Sequence, residues 1–321
     1  MSESFFFDNF YYNFLTSFVF LSINLIFSIF LAEKRSVYKI QITEPHLIFF
    51  AIISIYAFLV NSLILLNKTQ YLFYAVALLL ICSVLCLACF ANYKKLLNYF
   101  PKYKNIDKCL LLFFVIFLFI SILPFSDADS VAIHMNIPAQ IMHHGVLNTD
   151  LIRNIENTLI SNTESILSLS FILKSDNFGS QLNFFSLVAF LFVFRKNKYF
   201  YYFLFCSPLI IFFISTQKLQ LFFGIIYLSL FILIFENKLK NNYEIFLFAF
   251  LLVFYSSGKL TYLLFSFFLF LFFLFKNKNS IKKIFLYLFI CFFIHQFPLL
   301  LYKFILFQNF IPPFFDSFFN N

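Results

Sequence analysis

Asp127 and Asp129 stand two positions apart, and His134 follows close behind. Two carboxylates beside an imidazole are equipped for acid–base chemistry. A carboxylate here can act as general base toward a hydroxyl, or ligate a divalent cation. His134 can orient a carboxylate, bind a phosphate or relay a proton. A structural reading stands beside the chemical one. Asp129 can cap a helix, Asp127 can be a solvated loop residue, and His134 can lie on the wet face of a surface helix. His143 and His144 are further candidates, although two histidines at a helix C-terminus also complement its dipole. The spacing of these histidines and aspartates matches no zinc pattern, so no metal site is read from it.

Two short stretches add cations. Ser215-Thr216-Gln217-Lys218 and Ser256-Ser257-Gly258-Lys259 each set hydroxyls beside one lysine. Lys218 and Lys259 can hold a lipid-borne phosphate, with Ser257 and its neighbours as hydrogen-bond donors. The alternative is two lysines snorkelling from the bilayer. Arg153 is the third cation grouped with them. His295 and Gln296 are polar within an apolar run, where such residues face a bundle interior or bond to another helix.

The elements that position these residues are membrane spans. The chain has 321 residues, 62% of them hydrophobic and only 12% charged, which excludes an ordinary water-soluble domain. Apolar runs near the required length of about 20 residues recur along it. Ten spans are expected, at roughly 13–32, 46–66, 71–91, 109–125, 181–195, 199–215, 219–235, 243–257, 260–275 and 284–301. If the connecting loops alternate sides, 17 Lys and Arg fall on one side and six on the other. That bias makes the richer side cytoplasmic and places the N-terminus and the 126–181 loop outside. It also accounts for the net charge of +9 without a nucleic-acid partner. Cys82, Cys86 and Cys89 share one helical face and are read as small packing residues. Gly occurs only four times, which argues against seams of small residues between helices.

The 126–181 loop holds six of the 14 acidic residues and three of the five histidines. Asp129 or Ser130 can cap a helix running to Gly145, with Ile133, Ile137 and Ile141 on one face. Thr149 or Asp150 can cap a second helix. Thr163 can cap a third, with Ile166, Leu169 or Ser170, and Leu173 facing the membrane. These are expected to be amphipathic helices on the bilayer surface.

A span, then Asp-x-Asp-Ser-x-x-x-His-x-x-x-Pro, then surface helices, then Ser-Asp-Asn-Phe-Gly-Ser, resembles the GT-C-type integral-membrane glycosyltransferases. The resemblance covers roughly 109–300 and is specific over 124–181. It implies an all-α polytopic bundle, with three N-terminal spans over 1–108 and a GT-C-like seven-span module over 109–321. It implies transfer of a sugar from a polyprenyl-phosphate donor to a glycan, lipid or protein acceptor. Such an enzyme would sit in a bacterial inner membrane among lipids, with the loop in the periplasm. Asp127 or Asp129 would be the base, supported by His134. Lys218, Lys259 and Arg153 would hold the donor phosphate. No cofactor is required, although a divalent cation is compatible. The chain ends soon after its last span, which leaves a truncated, non-catalytic homologue as one alternative. A transporter or flippase for a lipid-linked or anionic solute is the other.

The topology is directly testable. Reporter fusions after Lys104 and Asn197 should read as cytoplasmic, and a fusion near Asn157 as external. A cytoplasmic signal at Asn157 overturns the arrangement.

Overall fold

The computed structural model of the chain describes residues 10–37, 44–90, 108–123, 134–145, 147, 157, 160–190 and 207–310, without the side chains of 10–13, 34–37, 108–110 and 279. Among the described residues there is no strand. Helices α1 (Phe10–Val37), α2 (Pro45–Leu65), α3 (Leu72–Phe90) and α4 (Lys108–Ile122) precede the polar stretch. Within it lie the short helices α5 (Asn136–His144), α6 (Asn162–Leu167) and α7 (Leu169–Leu173). Then come α8 (Phe178–Phe190), α9 (Pro208–Ile214), α10 (Gln220–Phe235) and α11 (Asn242–Ser256). The series ends with α12 (Leu260–Lys276), α13 (Ile281–His295) and α14 (Phe297–Phe307).

Each expected span overlaps a described helix. Three stretches are long and apolar enough to cross a membrane: Phe14–Glu33, Pro45–Leu65 and Thr69–Phe90. Helices α13 and α14 make a fourth if they are one span bent by 47°. Five further apolar helices are shorter, at 10–17 residues. By length alone, the described helices therefore give fewer crossings than ten.

Their outward faces suit hydrocarbon rather than water. Phe73, Leu78, Ile81 and Leu85 on α3 are exposed, as are Leu263, Leu264, Phe267 and Phe268 on α12 and Phe285, Leu286 and Phe289 on α13. A monomeric water-soluble protein rarely exposes contiguous apolar patches beyond a few hundred Å². Cys82 and Cys89 also lie exposed on α3, so they are surface residues and not the packing residues expected.

The core is aromatic. Phe50 meets Phe222 edge-on at 5.5 Å, Phe223 lies 5.4 Å from Phe254, and Phe20 lies 5.0 Å from Tyr56. Offset and edge-to-face rings add about 0.5–1.5 kcal/mol per pair beyond the area they bury. The helix at the centre is α2, which starts on Pro45 and ends where Asn67 turns left-handed at φ 53°. It packs against α1, α3, α6, α8, α10, α11, α13 and α14. Residues on both sides of the expected boundary at 108 and 109 thus share one core.

The connections gather at two ends. At one end Lys238 binds Glu44 at 3.3 Å, and Lys283 donates to the Asn242 side chain at 2.8 Å. At the other, the Ser17 and Ser175 hydroxyls meet at 2.7 Å and Gln181 donates to the Phe14 carbonyl at 3.2 Å. There the Leu147 N–H also donates to the Tyr302 hydroxyl at 3.3 Å. The lysine-bearing connections at 92–107 and 196–198 lie outside the described residues.

The polar stretch departs from expectation in one respect. Helices α6 and α7 are not laid along a surface: Ser165, Ile166, Leu167, Leu169 and Ser170 are all fully buried. The reason is chemical. Polar residues are interleaved with apolar ones, so both faces of these helices find partners inside the bundle. The cap of α6 is Ser161, not Thr163, with Glu164 completing a capping box. Helix α5 does end as expected on Gly145, left-handed at φ 71°, with Ile137 and Ile141 buried. Asp129, Ser130 and Ile133, and the segment expected to form the second helix from Thr149 or Asp150, lie outside the described residues.

Gly179, at the start of α8, supplies a stability test. A Cβ there would fall 2.4 Å from Gln217 Oε1 and 2.9 Å from the Gln217 carbonyl. Gly179→Ala should therefore destabilise the protein by roughly 1–3 kcal/mol, the usual range for overpacking. Gly224→Ala, with nothing within 4 Å of the new carbon, should not. Thermal unfolding in detergent checks both. Equal melting temperatures for the two variants would show that the Gln217 contact is not tight.

Candidate functional site

The described polar residues converge where α5, α6 and the 256–259 turn meet. The segment Ser161-Asn162-Thr163-Glu164 folds locally because Ser161 and Glu164 satisfy each other's ends of the helix. The Ser161 hydroxyl accepts from the Thr163 N–H at 3.1 Å, and Glu164 Oε2 accepts from the Ser161 N–H at 2.9 Å. The Ser161 hydroxyl also lies against Glu164 Oε2 and, at 2.6 Å, the Gly258 carbonyl, so its single proton serves one of them at a time. Thr163 donates to the same carbonyl at 2.8 Å.

Asn162 pins three elements together. Its N–H donates to the Ser257 carbonyl at 3.1 Å and its amide to the Ser257 hydroxyl. Its side-chain oxygen accepts from Asn61 of α2 at 2.6 Å, and Ser165 donates back to the Asn61 oxygen. Close by, Gln296 donates to the Ser256 hydroxyl at 2.6 Å, at the bend between α13 and α14. The Gln296 expected to bond to another helix does so.

The centre of this network is charged. Glu164 is 4% exposed and His134 6%, and His134 Nδ1 lies 3.2 Å from Glu164 Oε1. Burial alone would raise the Glu164 carboxyl. The hydrogen bond and charge of His134, with the Ser161 hydrogen bond, outweigh it and hold the carboxyl below its usual range. Lys303 of α14 and Tyr262 of α12 both feel the Glu164 charge. A buried carboxylate, an imidazole and a lysine from three separate elements therefore share one end of the bundle.

The sequence candidates divide as follows. His134 is in this centre, and Ser257 and the backbone around Lys259 border it. Lys259 itself is half-buried and starts α12. Lys218 lies elsewhere among the described contacts, its ammonium 5.6 Å from the Phe212 ring and its carbonyl accepting from Asn183. His143 and His144 are exposed on the last turn of α5, and His143 stands edge-on to Phe171 at 5.7 Å. Asp127, Asp129 and Arg153 lie outside the described residues. Glu164, Asn162 and Lys303 were not singled out. The Ser-x-x-Glu spacing of 161–164 was a legible signal for the first; the reach of Lys303 toward it had none. Among the described residues no group of three His, Cys, Asp or Glu is placed to hold a metal ion.

A groove of about 570 Å³ lies beside this centre. Helices α12 and α13 touch at Phe270 and Phe285, 5.5 Å apart, near their connection. Farther along, the groove runs between them over α11, lined by Leu252, Leu263, Phe267 and Leu288 and ending at Ser256 and Leu260. By contrast, one polar pair between α1 and α2 is closed on itself. Asn24 is fully buried, accepts from Tyr56 at 3.3 Å and donates to the Phe20 carbonyl at 2.8 Å.

Acid tests the electrostatics. Because the folded Glu164 carboxyl is held below its ordinary value of 4.5, its stabilisation is complete above that value and is lost as pH falls through the lowered one. Glu164→Gln retains an acceptor for the Ser161 N–H but loses the charge, so melting temperature should fall less steeply with acid in the variant. An acid limb identical to that of the parent would mean that Glu164 is not a stabilising carboxylate. Comparison of the chain with protein-family models, with curated proteins and with solved structures gives no match.

Proposed function

We propose that the chain is a GT-C-like membrane glycosyltransferase, with ten spans in a bacterial inner membrane. It moves a sugar from a polyprenyl-phosphate donor to a glycan, lipid or protein acceptor at the outer face. The 126–181 loop and the N-terminus face the periplasm. The single observation carrying this reading is the juxtaposition of the sideways apolar groove and the buried charged centre. A polyprenyl chain is an apolar cylinder that enters from the bilayer, and the groove between α12 and α13 offers it a dry wall ending at Ser256. Two residues beyond, the 257–258 backbone accepts bonds from Asn162 and Thr163 beside the Glu164–His134 pair. A phosphate leaving the groove at Ser256 emerges beside Lys259. A transporter instead calls for a polar route through the bilayer, whereas Asn24 of α1 and Tyr56 of α2 are closed on one another.

Asp127 or Asp129 accepts the proton of the acceptor hydroxyl and orients it. Asp→Asn separates base from cap, since Asn caps a helix about as well as Asp but is no base. Incubated with labelled polyprenyl-phosphate sugars and a crude acceptor mixture, the purified chain should transfer label. Asp127→Asn or Asp129→Asn should lower that rate by at least about 10²-fold while leaving thermal stability nearly intact. Near-normal transfer by both variants removes the carboxylates from the mechanism. No transfer by the parent chain with any donor removes the reading itself.

A further inference from the structure

We propose that Glu164 is a positioning residue that fixes the protonation pattern of His134, so that Nδ1 keeps its proton and Nε2 is the nitrogen that exchanges one. The inference deepens the transfer reading and rests on it only for the identity of the reaction.

The geometry carries it. Glu164 Oε1 faces His134 Nδ1 at 3.2 Å, across 30 residues of sequence and inside the protein. Its other oxygen is committed to the cap of α6, where it accepts from the Ser161 N–H at 2.9 Å. The carboxylate is thus fixed at both oxygens and cannot rotate away from the ring. An ionised carboxylate only accepts, so the nitrogen facing it must donate. Nδ1 therefore carries a proton whether the ring is neutral or charged. The neutral ring has its lone pair on Nε2, which has no hydrogen-bond partner among the described residues. Nε2 is also not sealed: it is absent from the fully buried, unpartnered polar atoms, which do include both nitrogens of His295. A carboxylate that fixes the tautomer of a histidine and leaves the far nitrogen for chemistry is a recurrent acid–base device.

The other charged groups around the pair are Lys303 on α14 and the Tyr262 hydroxyl on α12, both within reach of the Glu164 charge. In the transfer, the acceptor O–H bond breaks and its oxygen bonds to the anomeric carbon. The bond from that carbon to the phosphate oxygen breaks, and its electron pair leaves with the lipid phosphate. The released proton goes to the aspartate assigned as base.

The substitution Glu164→Gln gives the proposal its edge. The capping box accepts Gln in place of Glu. Its amide oxygen is then held by the Ser161 N–H, which turns the amide NH₂ toward Nδ1. Facing a donor, Nδ1 must accept, and the ring proton moves to Nε2. Nitrogen-15 NMR of histidine-labelled protein in detergent reads this directly, with the His134 signals assigned by their loss in His134→Asn. With the ring neutral, the Nδ1 signal of the parent chain should lie in the protonated range and the Nε2 signal in the unprotonated range. In Glu164→Gln with the ring neutral, the two should exchange, and transfer activity should fall far more than the melting temperature does.

A parent chain whose neutral His134 carries its proton on Nε2 overturns the proposal. The parent measurement decides even if the variant fails to fold. If the nitrogens behave as stated and no lipid-linked sugar is transferred, the positioning role stands and the transfer reading alone is lost.

Discussion

A carboxylate leaves water only if other groups replace the water, and Glu164 is buried to 4% exposure. That requirement organises the whole end of the bundle. One oxygen of Glu164 is met by its own helix cap and the other by His134, which lies 30 residues earlier. The cap places α6 with its N-terminus against the 257–258 backbone, and Asn162 then fixes α6 to α2. Breaking a buried pair by removing one partner costs about 3–5 kcal/mol, whereas keeping it yields little net stability. An apolar roof would hold α2, α5 and α6 together as well. The bonded, charged arrangement is therefore a specific one rather than a cheap one.

The remainder of the bundle is held by a different force. Below this end, ring-to-ring contacts such as Phe223 with Phe254, 5.4 Å apart, fill the space between helices. Aromatic side chains are too large for close helix approach, so the helices stand apart on rings and the core is continuous across α1 to α14. Such packing is tolerant in detail and gives little directional information. The hydrogen bonds of Asn61, Asn162, Asn183 and Gln217 supply the direction. Asn183, for example, donates to both the Phe213 and Lys218 carbonyls and accepts from the Phe222 N–H at 3.0 Å, fixing α8 against the turn before α10.

This division explains what could be read from the sequence. Apolar run length exposed the helices, because it is a local property. The left-handed Gly145 was legible for the same reason: only the backbone of the next turn is involved. Burial of α6 and α7 was not legible from the apolar positions. The pattern Ile166, Leu169, Leu173 reads as one face of a surface helix, and only the neighbours of Ser165 and Ser170 reveal that the opposite face is inside too. The capping box at Ser161 and Glu164 was written in the chain and was the one local signal of an organised charge. The central role of α2 carried no comparable signature, since its neighbours are as apolar as it is. Its Ser54 and Asn61, fully or almost fully buried, are the trace it left.

The placement of the charged centre at one end, rather than at mid-depth, is itself an argument about chemistry. Sealed polar groups within a helix pair, such as Asn24 with Tyr56, bond to each other and to local backbone and leave nothing to offer a ligand. The Glu164–His134 pair differs because one of its two ring nitrogens is left over. It lies where the interhelical groove ends at Ser256 and where α14 brings Lys303 after the 47° bend at Gln296. The bend is pinned by the Gln296–Ser256 bond on the same turn that receives Ser161, Asn162 and Thr163. One turn of four residues, 256–259, thus connects the apolar groove, the helix carrying the lysine and the helix carrying the carboxylate.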